Sequence, residues 1–174
     1  MKIHLCAACG IALSLAAFAT LAHDGRVYVT GTITNNTCTL SPDSQNMTVA
    51  MGDVSNRQFL HPGEGAAWQP FAIDLLNCGS TASGVSVSFS GSEDESNHNL
   101  LALTPEEGNA TGVGIALYDT NKNAIPLGAD SATMPLIGGQ ASVHLQFYAR
   151  YVADGGTVAS GTANASATFK LTYE

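Results

Sequence analysis

Apolar and polar residues alternate along most of this chain in short runs, and clusters of Gly, Asn, Asp, Ser and Pro separate the runs. A period of two residues puts every second side chain on one face, the mark of half-buried strands. Residues 26–34 show it first, with Val27, Val29, Gly31 and Ile33 on one face and polar or amphipathic residues on the other. Further strands are expected at 47–51, 70–77, 85–90, 112–118, 142–152 and 163–173. The stretches 92–99, 104–109 and 119–123 are polar and turn-rich, and no segment carries a helix of useful length. Several short strands at this spacing predict an all-β sandwich of immunoglobulin-like type.

The first residues stand outside this pattern. Lys2, an apolar and small-residue run from Ile11 to Leu21, and Thr20-Leu21-Ala22 ahead of His23 read as a secretory signal peptide over residues 1–22. A lipidated cysteine would follow the apolar run, whereas Cys6 and Cys9 precede it. Taking 22 residues from the 174 leaves 152, the size of one ordinary domain. It also leaves two of the four cysteines, Cys38 and Cys78, an even count in an oxidising compartment, and these should pair.

Two features do not suit a self-contained sandwich. The 27–33 run is a good strand ahead of Cys38 whose local sequence offers no hairpin partner, and Asn35-Asn36-Thr37 after it reads as a tether. At the other end, Ala163, Ala165, Ala167, Phe169, Leu171 and Tyr173 alternate without a break. Such a strand needs neighbours on both sides, because an exposed apolar edge invites pairing and aggregation.

Charge and chemistry narrow the function. Six Lys and Arg against 14 acids give a net charge of −8, which leaves no basic footprint for nucleic acid or an anionic membrane. The histidines His4, His23, His61, His98 and His144 are scattered, and neither a His-x-x-x-His pair nor a Gly-x-Ser-x-Gly elbow occurs. His144 falls with Ser142 and Gln146 on a polar strand face. Asp119-Thr-Asn121-Lys-Asn123 with Asp130 imitates a calcium loop, but Ala124 stands where the sharp turn needs Gly, and Pro126 follows. The acidic run Glu93-Asp94-Glu95 reads as a solvated loop. No catalytic residue, metal ligand or cofactor is assigned. Trp68 with Tyr118, Tyr148 and Tyr151 offers stacking surface for a sugar, although a single Trp more often serves as core or groove wall.

The early strand before Cys38, the partner Cys78, Gly112-Val-Gly114-Ile-Ala-Leu-Tyr-Asp119, Phe147-Tyr-Ala-Arg150, and the alternating C-terminus with Gly161 and Tyr173 resemble, in their order, type 1 fimbrial subunits of the chaperone–usher pathway. Residues 23–38 and 69–78 look most like the FimF-type minor tip subunit, an adaptor in the fibre. The resemblance implies an immunoglobulin-like fold lacking its last strand: a donor-strand extension over residues 23–37 and a pilin domain over 38–174. It implies that Val27, Val29, Gly31 and Ile33 are donated to a neighbour. Gly161, Phe169, Leu171 and Tyr173 then belong to an acceptor groove that a periplasmic chaperone recognises first. Implied partners are that chaperone, an outer-membrane usher and neighbouring fimbrial subunits. The implied destination is the periplasm and then the extracellular fimbria. A rod-forming major pilin and a secreted carbohydrate-binding sandwich, an adhesin, are the alternatives; an adhesin tip needs no donor arm.

Overall fold

The structure is a computed structural model that describes residues 26–174; the expected signal peptide lies outside the described residues. Of the described residues, 26–33 fall outside the compact unit Thr34–Glu174. The strand expected at 26–34 is not formed: these residues carry no ladder, and Val27, Tyr28, Val29 and Ile33 are exposed. A single extended segment without a partner has nothing to bond its backbone groups except water, so alternation alone does not make it a strand.

Thr34–Glu174 fold as two antiparallel sheets, the sandwich expected from the sequence. The first sheet has the order β1-β2-β7-β4-β5, from Thr39–Leu40, Gln69–Leu76, Ser142–Ala153, Val113–Tyr118 and Ala124–Ile125. The second has the order β6-β3-β8, from Met134–Pro135, Gly84–Gly91 and Ala167–Tyr173. The alternation decides which side chains meet between the sheets. Ile73 and Leu75 of β2, Phe147 of β7, and Val85 and Val87 of β3 are fully buried. Phe71, Phe89 and Phe147 join the sheets through ring centroids 5.4–6.1 Å apart, two pairs edge-to-face and one stacked. The outward face of β7 carries His144, whose Nδ1 lies 2.7 Å from an exposed Asp74 carboxylate.

Three expected strands differ in extent or kind. Residues 47–51 keep their alternation, with Met47, Val49 and Met51 packed against the core and Thr48 and Ala50 exposed, but they form no ladder. The last strand begins at Ala167 instead of 163, because the backbone of 159–164 bonds to the 104–111 loop: Thr104 N–H donates to Asn164 O, and Ala110 N–H donates to Thr162 O. The 26–34 segment is the third. The two-residue strands β1, β5 and β6 are too short for periodicity to announce, and the one-turn helix α1 at Pro42–Gln45 is capped by Ser41.

Cys38 and Cys78 are joined, with Cα atoms 3.9 Å apart. The bridge ties the residue before β1 to the end of β2, closing a loop across 40 positions. Replacing both cysteines by Ser is expected to lower unfolding stability by about 4 kcal/mol, the chain-entropy value for a loop of this length. Denaturant titration of wild type and variant checks this, and coincident curves would contradict it.

Candidate functional site: an open groove beside the last strand

Strand β8 pairs with β3 along seven positions, Val85↔Tyr173 through Gly91↔Ala167, and with no strand on its other edge among the described residues. Across a gap from that free edge runs the 47–54 segment, also without a ladder. Between them opens a groove of about 940 Å³. One wall is Met47–Val54, the other Val158–Ala167 with Phe169, and Phe71, Phe89, Leu101, Ile115, Leu117 and Tyr151 form its floor. The groove thus reaches down beside β8 to core side chains, of which Phe89, Leu101, Ile115, Leu117 and Tyr151 stay buried. The free edge of β8 has no ladder partner among the described residues, a template for one more strand.

The residues named from the sequence fall as follows. Gly161 and Phe169 line the groove. Leu171 and Tyr173 share the inward face of β8 with Phe169 and pack on the core beyond the groove's end, while Lys170 and Thr172 point outward. The Tyr173 hydroxyl donates to Cys38 O at 3.3 Å, tying the end of β8 to the disulfide. Partial burial pushes its pKa above the usual tyrosine value. On the same side, the Tyr151 hydroxyl donates to Ala163 O at 2.6 Å and ties the 158–166 segment to the floor. Partial burial raises its pKa also.

Gly161 has a packing reason to be glycine. A Cβ there would collide with the Gly108 carbonyl and the Ala110 N of the neighbouring loop, which are backbone atoms that cannot swing aside. Gly161→Ala is expected to cost about 1–3 kcal/mol of stability, an overpacking penalty that thermal or denaturant unfolding would register. Gly31 differs: a Cβ there would meet nothing within 4 Å.

The sequence marked the β8 wall and missed the opposite one, because 47–51 looks like any other strand. The only signal was that Met47, Val49 and Met51 alternate in a segment with no paired turn to a neighbour. Trp68 is neither core nor groove wall. It lies against Tyr118 and Tyr148, at centroid distances of 4.5 and 6.1 Å. Arg150 and Lys122 stack over its ring at 4.5 and 5.1 Å, so cations already occupy the faces a sugar would use. The calcium-like stretch is a turn built on the Asp119 carboxylate, which accepts from Asn121 N–H and Asn123 N–H at 2.8 Å and from the Asn123 amide at 2.9 Å. Among the described residues no group of three or more His, Cys, Asp or Glu is placed to hold a metal ion.

Comparison with known proteins places this geometry. The model of the family described as "Fimbrial protein" matches residues 27–174. Long polar fimbria protein A of Salmonella typhimurium is 37% identical over 93% of this chain and 90% of its own length. The probable major fimbrial subunit LpfA of Escherichia coli O157:H7 is 38% identical over 90% of this chain and 88% of its own. Among solved structures, a type I fimbria protein of Burkholderia pseudomallei superposes with a TM-score of 0.61 at 33% identity, covering 80% of this chain and 91% of its own. A subunit of a chaperone–usher pilus gives a TM-score of 0.65 at 26% identity, covering 86% and 95%.

Proposed function

We propose, from the premise that this chain belongs to the fimbrial protein family and is a subunit of a chaperone–usher pilus, that it assembles by strand exchange. The 27–33 segment is the donated strand and the groove beside β8 is the acceptor. The observation that carries this reading is the pairing of an uncovered, strand-wide groove with an exposed segment of matching alternation in the same sequence. Main-chain hydrogen bonds to the free edge of β8 supply affinity, and Val27, Val29 and Ile33 set the register by filling the floor. Burying those three side chains is worth about 5–9 kcal/mol before the ordering entropy of the arm is subtracted. An added strand completes a neighbour's core, so the joint persists as long as that core resists unfolding.

A free strand edge beside an open, apolar-lined groove invites wrong pairing, which is the physical case for a periplasmic chaperone that occupies the groove until an usher presents the next subunit. Phe169, Leu171 and Tyr173 are the surface such a chaperone reads, with Gly161 on the same side of the groove. The path runs through the periplasm to the extracellular fimbria. Co-purification from periplasm tests the scheme: with residues 23–33 deleted, the chain is expected to remain bound to its chaperone and to form no polymer. Polymer from the deleted chain would overturn the donor assignment.

The position in the fibre has two readings. The sequence of residues 23–38 and 69–78 favours a minor adaptor that supports adhesion. The name of the 38% identical Escherichia coli relative, a probable major fimbrial subunit, favours a rod former. Purified subunit on its own distinguishes them: long homopolymers support the rod, and chains that stop at one or two copies support the adaptor.

A further inference from the structure

Outside residues 26–33, the large hydrophobic side chains that stand exposed among the described residues are Leu60 at 72% and Ile137 at 71%. A lone exposed apolar side chain is ordinary. These two lie at opposite ends of the sandwich, each on a loop that backbone bonds hold in place. Ile137 sits beside the start of β7, where Cys78 N–H donates to Gln140 O at 2.9 Å and Gly139 N–H donates to Gly79 O at 3.1 Å. Leu60 sits beside the end of β7, where Gly63 N–H donates to Ala153 O at 3.0 Å. There the Glu64 carboxylate accepts from Leu60 N–H and His61 N–H at 2.7 and 2.9 Å. Strand β7, with its 12 residues, puts about 36 Å between these ends.

The root of the arm belongs to the Ile137 end. Gly79 N–H donates to Thr37 O at 2.8 Å, and Thr81 N–H donates to Asn35 O at 3.2 Å, so the root and the Ile137 loop are clamped to the same residue, Gly79. The groove's far end belongs to Leu60, since Phe59, Asn56 and Val54 line it and Leu60 follows Phe59 directly. The orientation of an incoming strand then decides what meets what. Every pairing between named strands among the described residues is antiparallel, the isolated Asn109↔Thr162 bridge alone being parallel. An arm laid antiparallel on β8 enters with residue 26 near Tyr173 and leaves with residue 33 beyond Ala167, delivering its root, and the donor's Ile137 loop, to the Leu60 end of the acceptor. A parallel arm would bring the donor's root to the acceptor's own root, end against like end, and would not propagate.

We propose that Leu60 of one copy packs against the Ile137 loop of the next, forming a second, apolar contact at each joint of the fibre between two copies of this chain. The inference rests on the strand-exchange reading and extends it to the folded bodies. It is heterologous, one surface against a different one, so it repeats head to tail as a filament requires. It also gives two otherwise unexplained side chains one shared use.

Two measurements on purified full chains test it. Copies carrying Leu60→Cys are mixed with copies carrying Ile137→Cys, allowed to join, oxidised, and run without reductant. Cross-linking of the mixed pair and none between two Leu60→Cys copies is expected. Joined pairs that do not cross-link overturn the contact, as does a failure of copies to join when the free arm peptide binds. The second measurement compares dissociation in moderate guanidinium chloride. Leu60→Ser in the acceptor should speed release of a whole donor subunit about tenfold, while leaving release of a synthetic peptide of residues 26–37, which carries no Ile137, unchanged. Equal release of the whole subunit from wild type and variant overturns the contact. A peptide that does not bind at all removes the strand-exchange reading, and this contact with it.

Discussion

Replacing Gly31 by Leu is expected to slow donation by the variant on the order of 100-fold while leaving its own groove fully able to accept. The asymmetry follows from where the constraint on Gly31 lies. Glycine weakens a strand interior and is out of place among the β-branched Val27, Val29 and Ile33 unless something approaches too closely for a side chain. A Cβ at Gly31 meets nothing within 4 Å in this chain, so the substitution has no cost in the subunit that carries it. The cost arises in the neighbour, where the third inward position of the arm must cross the groove floor. Four added side-chain carbons there overpack a site by about 3 kcal/mol, which slows donation on the order of 100-fold. A strand-exchange assay pairing variant and wild-type subunits in both directions reads this out, and equal competence in both roles would leave the donor assignment without support.

Removing residues from Phe169 to the end is expected to leave no recoverable soluble subunit, with or without chaperone. Strand β8 is at once a groove wall and a structural partner of β3 along seven ladder positions. Its loss uncovers Val85 and Val87, both fully buried, and removes the packing of Phe169, Leu171 and Tyr173 on the core. It also removes the hydrogen bond from the Tyr173 hydroxyl to Cys38 O. At about 1.5–3 kcal/mol per buried apolar side chain, this approaches the 5–15 kcal/mol that holds a domain folded. Lys170→Ala and Thr172→Ala, on the outward face of the same strand, are expected to change stability by less than about 0.5 kcal/mol. Periplasmic yield and chaperone co-purification measure both sets. A truncated chain recovered as a stable monomer would refute the role given to β8.

The parts of the fold that could be read in the sequence were those where local pattern and tertiary need agree. Residues 70–77, 85–90 and 142–152 alternate because one face is buried between sheets, and the strands Gln69–Leu76, Gly84–Gly91 and Ser142–Ala153 lie within a residue or two of them. The pairing of Cys38 with Cys78 followed from counting cysteines in an exported chain. The differences lie where alternation survives but the partner is missing. Residues 27–33 and 47–51 have the period of strands and no ladder, since a hydrogen-bonded strand is a property of two segments and the sequence of one does not state whether the other is present. Those same segments are the proposed donor and the unforeseen second wall of the groove. Residues 163–166 read as strand because Ala163 and Ala165 continue the alternation, while Asn164 O accepts from Thr104 N–H of the neighbouring loop and Ala163 O from the Tyr151 hydroxyl. Residue type alone points Trp68 to the core or a groove wall, and the cations that stack on it, Lys122 and Arg150, come from distant positions that only the fold brings together.

The most direct test of the account is amide hydrogen exchange along Ala167–Tyr173 in a subunit lacking residues 23–33, with and without a synthetic peptide of residues 26–37. The free edge of β8 leaves alternate amides of this strand open to water, so they should exchange fast in the subunit alone. Adding the peptide is expected to slow those amides, and those of the facing 47–54 wall, by several orders of magnitude, and a peptide with Leu in place of Gly31 is expected to leave them fast. Exchange along β8 that is unchanged by the wild-type peptide would contradict the claim that this groove is completed by a strand from another subunit.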